Sequence, residues 1–405
     1  MTNGRGIIPQ HIVARRLRTY VLLLFSCLVA CPQCAAAKAA TKPIEPPLAA
    51  VLPSEKAWLV TLPSAPSAAA AMDEARVYIP LQGEHIVALD RATGDTVWTI
   101  DIESNWPPLV SNGVLYIAAS DELHAIDAAT GDRKWRVPLG RGPMSALATA
   151  NDTIVALVSP DGVGAFRSSD GQLIWQMSLG GKAGPASMSI DAGRVFVAIG
   201  DRLVCLDLAD GAKRWDLMLP GTLRSPVAAN HRVFVGSTSN AFYGIRQDDG
   251  GVAWTFRVGG DVIGATVDRD RVYVASLDNV LRCLKQDNGN QVWKRALATR
   301  PVAPPETVGG IVVVSGLAYP LSTFNAKTGV ALANLDPSLD LGRPKFLAPT
   351  LIAPMLHPFS VALVVIARDG RVLGHRPVAM MFRDPPLDPL VTLPGKPLER
   401  ERAAP

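Results

Sequence analysis

The chain has 405 residues, of which 48% are hydrophobic and 19% are charged, with 34 Gly and 33 Pro. This composition favours a globular protein of short strands and many turns over a disordered chain. The formal net charge of +4 equals the contribution of four arginines near the N-terminus, Arg5, Arg15, Arg16 and Arg18. The rest of the chain is therefore close to neutral, which excludes nucleic-acid binding through a strongly basic surface.

The first 30 residues have the three parts of a secretory signal. Residues 1–20 are polar and carry the arginines, and residues 20–30 form an apolar run that is shorter than the roughly 20 residues of a membrane-spanning helix. Small residues follow, so the sequence predicts a signal peptide at residues 1–30. The run ends in Leu28-Val29-Ala30-Cys31, which resembles the lipobox of bacterial lipoproteins. This resemblance implies that Cys31 carries a lipid.

Residues 31–55 are rich in Ala and Pro and show no apolar periodicity. They predict an extended tether that would let a folded body stand away from the membrane that holds its lipid. Two alternatives to lipidation stay open: cleavage near Ala35-Ala36-Ala37 and an uncleaved N-terminal anchor. Arg15-Arg16 separately leaves open a twin-arginine type of signal.

After the tether, one short stretch recurs seven times. It starts with a polar or charged residue, has a Gly four positions later and, in six copies, a Trp four positions beyond that. The first residues are Asp90, Asp127, Arg167, Asp207, Arg246, Lys285 and Asn325. The Gly and Trp residues are Gly94, Trp98, Gly131, Trp135, Gly171, Trp175, Gly211, Trp215, Gly250, Trp254, Gly289 and Trp293, with Gly329 and Ala333 in the seventh copy. Copies begin 37 to 40 residues apart, which is typical of a repeat architecture with one supersecondary module per copy.

The fourth copy shows the layout of a module most clearly. Short runs rich in β-branched and aromatic residues cover 185–190, 194–198, 203–207 and 215–219, and Gly, Asp or Asn residues bound them. Such runs predict four antiparallel strands per module. Four-stranded modules that repeat about every 40 residues predict an all-β fold, the β-propeller.

Backbone geometry and packing explain the repeated Gly and Trp. The Gly ends a four-residue hairpin connection such as Arg91-Ala92-Thr93-Gly94, where a positive φ is needed. The residue before it is Thr, Asp or Asn in every copy, and these side chains can bond to the backbone of a turn. One Trp per module can fill the gap between adjacent modules while its indole N–H finds an acceptor. We interpret both residues as structural.

An eighth module follows the seven copies. Residues 363–366 and 369–373 read as its middle strands, and no Trp comes after them, whereas Trp58 has no strands before it. Residues 56–62 are therefore expected to supply the outer strand and to close the ring. Phe382 could fill the same slot, which keeps a seven-bladed ring as the alternative. We predict an eight-bladed β-propeller at residues 56–383 and a disordered tail at residues 384–405.

The repeats resemble those of a known family. The run Arg76-Val77-Tyr78-Ile79, followed by Ala88-Leu89-Asp90 and then by Gly94 and Trp98, is similar to the repeat of the quinoprotein-type (PQQ-like) eight-bladed propellers. The resemblance extends over about residues 58–377 and implies their fold. It leaves the function open, because this fold carries both dehydrogenases and non-catalytic proteins.

No constellation of residues that would carry an enzymatic reaction stands out. The histidines beyond the signal are His85, His124, His231, His357 and His375, and none lies at metal-ligand spacing from another. No Gly-x-Ser-x-Gly elbow, phosphate-cradling loop or Cys-His cluster occurs. Cys205 and Cys283 hold equivalent positions two repeats apart, too distant for a disulfide. We predict no catalytic, cofactor-binding or metal-binding residue and no cofactor.

The quinoprotein dehydrogenases with this repeat are typically longer, with insertions that build a cofactor site with calcium, a catalytic Asp and often a disulfide of adjacent cysteines. This chain has no Cys-Cys pair. We therefore expect a protein that is not an enzyme. A PQQ-dependent oxidoreductase and a periplasmic propeller that binds a ligand are the alternatives.

The plan of signal, lipobox, tether and plain propeller is similar to the BamB-like lipoproteins of the outer-membrane β-barrel assembly machinery. One partner-facing connection of that family has a Leu-Arg pair ahead of Ser and Pro, and the next has an Asp-Val pair followed by Asp. Leu223-Arg224-Ser225-Pro226 matches the first, and Asp261-Val262 matches the second, with Ile263 in place of the last Asp.

The resemblance implies that Leu223, Arg224 and Asp261 contact a partner, with ordinary turns between blades as the alternative. It also implies a monomeric scaffold in the periplasm that only its lipid attaches to the outer membrane. Its partners would be envelope proteins, including the β-barrel assembly complex.

Overall fold

Short β-strands account for the regular structure of the chain, which we describe from a computed structural model. The structure describes residues 54–83, 85–119, 121–139, 147–158, 162–180, 186–308, 310–316, 321–335, 347–352, 363–367 and 371–377. The predicted signal, the lipidation site at Cys31, nearly all of the tether, Phe382 and the C-terminal tail lie outside these residues.

Thirty-two strands, and no helix, occur in the described residues. The first sixteen are β1 (Ser54–Thr61), β2 (Ala71–Met72), β3 (Arg76–Leu81), β4 (His85–Asp90), β5 (Thr96–Asp101), β6 (Leu109–Ser111), β7 (Val114–Ala119), β8 (Glu122–Asp127), β9 (Arg133–Pro138), β10 (Ala148–Ala150), β11 (Thr153–Val158), β12 (Gly162–Arg167), β13 (Leu173–Ser178), β14 (Ala186–Asp191), β15 (Arg194–Ile199) and β16 (Arg202–Asp207). The others are β17 (Lys213–Met218), β18 (Val227–Ala229), β19 (Arg232–Gly236), β20 (Ala241–Arg246), β21 (Val252–Arg257), β22 (Val262–Asp268), β23 (Arg271–Ser276), β24 (Val280–Lys285), β25 (Gln291–Ala296), β26 (Glu306–Val308), β27 (Ile311–Val314), β28 (Leu321–Asn325), β29 (Ala331–Leu335), β30 (Leu347–Ile352), β31 (Leu363–Ala367) and β32 (Arg371–Pro377).

These strands form four-stranded antiparallel sheets, eight of them within the described residues. Sheets 1 to 7 each use four consecutive strands, from β2–β5 in sheet 1 to β26–β29 in sheet 7. Sheet 8 combines β30, β31 and β32 with β1. The architecture is the all-β propeller that the repeats predict. The blade count of the complete ring stays a prediction.

The strand that carries Trp58 lies where the sequence predicts it. β1 pairs antiparallel with β32, with Trp58 opposite Gly374, so the N-terminal strand is the outermost strand of sheet 8. The indole N–H of Trp58 donates to the carbonyl oxygen of Arg91 in sheet 1 at 3.0 Å. β1 begins at Ser54, two residues before the predicted start of the propeller.

The four strands of sheet 4 agree with the predicted runs to within two residues. β15 and β16 pair without interruption, but the register shifts between β16 and β17, so that Cys205 is opposite Trp215 and Leu206 is opposite Lys213. Arg214 is therefore an extra residue in a β-bulge, a feature that twists a strand locally. The same shift occurs between the last two strands of sheets 1 to 6, and the sequence did not predict it.

The hydrophobic core lies between neighbouring sheets. Along β15, Val195 and Val197 pack in the cluster shared with sheet 3, whereas Phe196 and Ala198 pack in the cluster shared with sheet 5. Because successive side chains point to opposite faces of a strand, both faces are buried and the strand is a continuous apolar run. Each large side chain buried in this way contributes about 1.5–3 kcal/mol to stability.

Candidate partner-binding face

Every repeated Trp bonds to the neighbouring sheet in the same way. The indole N–H donates to the carbonyl oxygen of the residue that follows the first polar residue of the next copy, at 2.8 to 3.1 Å. The donor and acceptor pairs are Trp58 and Arg91, Trp98 and Ala128, Trp135 and Ser168, Trp175 and Leu208, Trp215 and Gln247, Trp254 and Gln286, and Trp293 and Ala326. The Trp thus joins one sheet to the next.

The repeated Gly lies directly against the same indole. All seven glycines have φ between +68° and +82°, which residues with a Cβ rarely adopt. In addition, a Cβ on Gly211 would lie only 2.5 Å from Cε3 of Trp175. The Gly is therefore required for two reasons, the conformation of the turn and the close approach of the Trp. The sequence predicts only the first.

The two ends of the sheets differ in what they carry. The glycine turns connect the third and fourth strands of sheets 1 to 7 at one end, which we call the glycine-turn face. At the other end, which we call the connection face, the fourth strand of one sheet leads to the first strand of the next. Leu223, Arg224 and Asp261 lie in the connections at residues 219–226 and 258–261, which join sheet 4 to sheet 5 and sheet 5 to sheet 6.

Leu223 anchors the first connection. Its side chain is 4% exposed and belongs to the core cluster between sheets 4 and 5. Its backbone N–H donates to the carbonyl oxygen of Gly200 at 2.7 Å. The side chain therefore holds the connection in place and does not project from it.

Arg224 links the two connections. Its backbone N–H donates to Gly236 O at 2.8 Å, and its side-chain Nε donates to Val262 O at 3.0 Å. Val262 is fully buried, and it occupies the space that a Cβ on Gly236 would need. The structure thus brings together Arg224 and the Asp261-Val262 pair, which the sequence singled out separately.

An ion pair fixes the second connection. The Oδ2 atom of Asp278 accepts the backbone N–H of Gly259 at 3.0 Å, and Arg282 and Ser276 donate to the same carboxylate. Burial raises the pKa of the Asp278 carboxyl, but the hydrogen bonds from Arg282 and Ser276 outweigh burial and lower the pKa to about 2. No motif in the sequence predicts this ion pair.

Asp261 is half-buried beside these groups. Its carbonyl oxygen accepts the backbone N–H of Leu277 at 2.8 Å, which fixes the backbone on either side of the carboxylate. In the first connection, the hydroxyl of Ser239 donates to Pro220 O at 2.8 Å. The connection face between sheets 4 and 6 is therefore held by hydrogen bonds, and its polar groups are ordered in advance of any encounter.

In the part of the chain that the structure describes, no group of three or more His, Cys, Asp or Glu could hold a metal ion. His85 pairs with Asp101 at 2.8 Å. His124 is buried, and burial lowers its pKa. Cys205 and Cys283 are free and buried, and burial raises the pKa of each thiol to about 12. No helix among the described residues is long and apolar enough to cross a membrane.

Solved structures share this fold at low sequence identity. BamB from Moraxella catarrhalis is 15% identical, with a TM-score of 0.63 over 80% of this chain and 99% of that protein. The computationally designed protein Ika8 is 14% identical, with a TM-score of 0.67 over 78% of this chain and 97% of the design. Sqt1 from Saccharomyces cerevisiae is 11% identical, with a TM-score of 0.68 over 79% of this chain and 98% of that protein. These similarities show the fold alone.

The sequence comparisons identify the family. A search of curated proteins finds no match. A family model described as the outer membrane protein assembly factor BamB matches residues 49–163, 159–263 and 256–398, which together cover most of the chain. The chain therefore belongs to the BamB family of outer-membrane assembly propellers.

Proposed function

We propose that this protein is a non-enzymatic scaffold of the cell envelope that takes part in the assembly of outer-membrane β-barrel proteins. We assign its partner-binding surface to the connection face between sheets 4 and 6. Membership of the BamB family supports the general role. The observation that carries the assignment is the hydrogen bond from Arg224 Nε to Val262 O, because it joins the two connections in which the family's partner-facing motifs have counterparts.

The geometry suits Arg224 to partner binding. Its Nε is used within the protein, but neither terminal nitrogen bonds to another described residue. A guanidinium fixed through Nε holds its remaining N–H groups in one plane, as a carboxylate or carbonyl of a partner requires. The carboxylate of Asp261 also has no side-chain partner among the described residues. A cation and an anion without side-chain partners therefore lie in adjoining connections, available to a partner of complementary charge.

The proposed location rests on the N-terminal sequence. A lipid on Cys31 and a tether at residues 31–55 would hold the propeller at the outer membrane from the periplasmic side, as a monomer. Mass spectrometry of the mature N-terminus tests this directly, because a diacylated Cys31 adds a mass that cleavage near Ala35-Ala36-Ala37 does not.

The partner assignment is tested by co-purification from envelope extract. We expect the wild-type chain to retain the β-barrel assembly complex. The double variant Arg224→Ala/Asp261→Ala should lose at least about 90% of it, because truncation of one central Arg anchor commonly costs 2 kcal/mol or more.

The matched control is Arg271→Ala. Arg271 also bonds to carbonyl oxygens of the next sheet, those of Ala326 and Lys327, but it lies on the glycine-turn face. Its replacement should lower stability by a similar amount and leave co-purification unchanged. If the double variant retains the complex, the assignment of the surface is wrong. If the wild-type chain retains no part of it, the proposed role is wrong.

A further inference from the structure

A pocket opens on the glycine-turn face, at the seam between sheets 5 and 6. It has a volume of about 530 Å³ and is lined by three turns, at residues 230–232, 269–270 and 285–287. This volume is within the range of small-molecule sites in proteins, roughly 300–1,000 Å³. The pocket lies at the opposite end of the sheets from Arg224 and Asp261, so it is separate from the proposed partner surface.

Three cationic side chains of this pocket lack a partner. Arg232, Arg269 and Lys285 line it, and none of their side chains makes a hydrogen bond or an ion pair with another described residue. The Nε atom of Arg232 is also buried without an acceptor. A buried donor without a partner is costly, so an acceptor atom of a ligand at this nitrogen would be stabilising. The equivalent Arg76 of sheet 1 has the same buried Nε, so the pocket and its other cations are what distinguish Arg232.

Equivalent arginines at the neighbouring seams are satisfied within the protein. Arg194, Arg232 and Arg271 each begin the second strand of their sheet, opposite the first residue of the repeat. Arg194 pairs with Asp248 of the next sheet at 2.9 Å. Arg271 donates to Ala326 O and Lys327 O of the next sheet. Among these three, the Arg232 side chain alone has no such bond, and this side chain lines the pocket.

One turn of the pocket has an uncommon backbone, at His231. Its φ is +61°, a region that side chains with a Cβ rarely adopt. Arg269 also has a positive φ, +53°, but the equivalent residues of other sheets, such as Ala192 and Asn230, share it, so at Arg269 it belongs to the repeated turn. In the corresponding turn of sheet 4, the position of His231 is Gly193, with φ +72°. Strained residues of this kind collect at functional sites. The amide of Asn230 fixes the arrangement by bonding across the seam to Arg269 O at 2.7 Å and to Gln286 Oε1 at 2.9 Å.

We propose that this pocket binds a phosphate ester of a polyol. A phosphate monoester carries a charge of about −1.5 to −2 at pH 7 and has three acceptor oxygens. It therefore suits a pocket lined by three cations better than a carboxylate would, even with two aspartates in the same lining. Arg presents several N–H groups in a plane that matches phosphate oxygens. Asp270 and Asp287 also line the pocket, and their carboxylates would accept the hydroxyl groups of the polyol. A free small molecule would supply the monoester. The headgroup of phosphatidylglycerol would supply a phosphodiester, which has one negative charge and two free oxygens, together with the hydroxyl groups of its glycerol.

Calorimetric titration of the full chain with glycerol 3-phosphate tests the free ligand, with glycerol as the ligand that lacks the phosphate. Sedimentation with vesicles of phosphatidylglycerol, against vesicles of phosphatidylcholine, tests the lipid. Both use a Cys31→Ser background, so that a lipid on Cys31 does not hold every variant on the vesicles. We expect binding to at least one phosphate probe and none to glycerol.

The variant Arg269→Asn/Lys285→Gln should weaken this binding at least about tenfold for each cation lost. Asn tolerates the left-handed backbone of position 269. The control is Arg246→Gln, because Arg246 occupies the same repeat position as Lys285 on sheet 5 but lies outside the pocket and pairs with Asp249. It should change the affinity less than about twofold. Arg232→Gln is a second variant in case the first does not fold.

Two results would overturn the proposal. One is that neither glycerol 3-phosphate nor phosphatidylglycerol vesicles bind to the wild-type chain. The other is that Arg246→Gln weakens binding as much as the pocket variants do, which would indicate attraction to the whole face. Either result leaves the proposed role of the connection face intact, because co-purification with the assembly complex is measured separately.

Discussion

The two ends of each seam between sheets are built on different principles. At the glycine-turn face, the same Trp, the same backbone acceptor and the same Gly recur from one seam to the next. At the connection face, a buried apolar residue such as Leu219 or Leu297 also recurs at the start of the connections, but the polar side-chain contacts differ from seam to seam. Between sheets 5 and 6, for example, Arg224 reaches Val262 and Asp278 holds Gly259.

This difference separates residues that build the fold from residues that can distinguish one such protein from another. A repeat stacks only on its neighbours, so the contact that closes each seam can be the same at every seam. A partner needs a surface that differs from its surroundings, and the polar side chains of the connection face provide one. The pocket at Arg232 agrees with this distinction. At its seam, the arginine on the glycine-turn face lacks the bond to the next sheet that Arg194 and Arg271 make at the two neighbouring seams.

Removal of one Trp should have the largest effect on stability. Trp175 is 8% exposed and donates to Leu208 O at 2.8 Å. Trp175→Ala should lower the free energy of unfolding in urea by about 3–5 kcal/mol, through the cavity and the unpaired carbonyl oxygen. Ile174→Ala is the control on the same strand, because Ile174 is 43% exposed and its loss should cost about 0.5 kcal/mol. Equal effects would contradict the structural interpretation of the Trp.

The two reasons for the repeated Gly can be separated with a matched pair. Gly193 and Gly211 both have φ +72°, but a Cβ on Gly193 meets no atom within 4 Å, whereas one on Gly211 overlaps Trp175. Gly193→Ala should cost about 1 kcal/mol for the backbone alone, and Gly211→Ala about 2–4 kcal/mol.

A double variant isolates the contact with the Trp. In a Trp175→Ala background, Gly211→Ala should cost only about 1 kcal/mol, because the clash is gone and the turn remains. If its cost in that background stays as high as in the wild type, the turn alone explains the Gly. The close approach of the indole would then have no role in the choice of residue.

The roles of the Gly and Trp at the glycine-turn face could be predicted from the sequence, because their signals are local and recur in each copy. A Gly within a hairpin signal, such as Gly94 after Thr93, predicts a positive φ by itself. One Trp per copy predicts a packing role. The outer position of the strand with Trp58 was predicted because the eighth module has no Trp after its middle strands and Trp58 has no strands before it. The contact of each Gly with the preceding Trp needs the register between two modules, which the pattern within one module does not contain.

At the connection face, the sequence predicted only those residues that a family resemblance identified. Leu223, Arg224 and Asp261 were selected from short matches in loops, but the burial of Leu223 and the bond from Arg224 to Val262 depend on how two loops meet in space. Residues 38 positions apart give no local signal of such a bond. The sequence does not predict that Arg232 is unpaired. Arg194, Arg232 and Arg271 occupy the same repeat position and differ only in the acceptor groups that the next sheet places beside them.

The smallest effect concerns the ion pair at the connection face. The pKa of Asp278 is about 2 in the folded protein, below its ordinary value of 3.8 in the unfolded chain. A lowered pKa adds stability that is fully present above about pH 4 and is lost as the pH falls towards 2. The wild-type chain should therefore lose about 2 kcal/mol through this group between pH 4 and pH 2. In Asp278→Asn this part of the acid dependence should be absent, and stability at pH 7 should be lower.

Asp249→Asn is the matched control on the glycine-turn face. Asp249 also pairs with an Arg of its own sheet, Arg246, but its side chain is 57% exposed, against 16% for Asp278. Solvent screens an exposed pair, so this variant should change stability at pH 7 less than Asp278→Asn does and should keep the steep loss between pH 4 and pH 2. If the two variants have the same pH profile, the Asp278–Arg282 pair contributes no more than a surface pair. The second connection would then be held by its backbone hydrogen bonds alone.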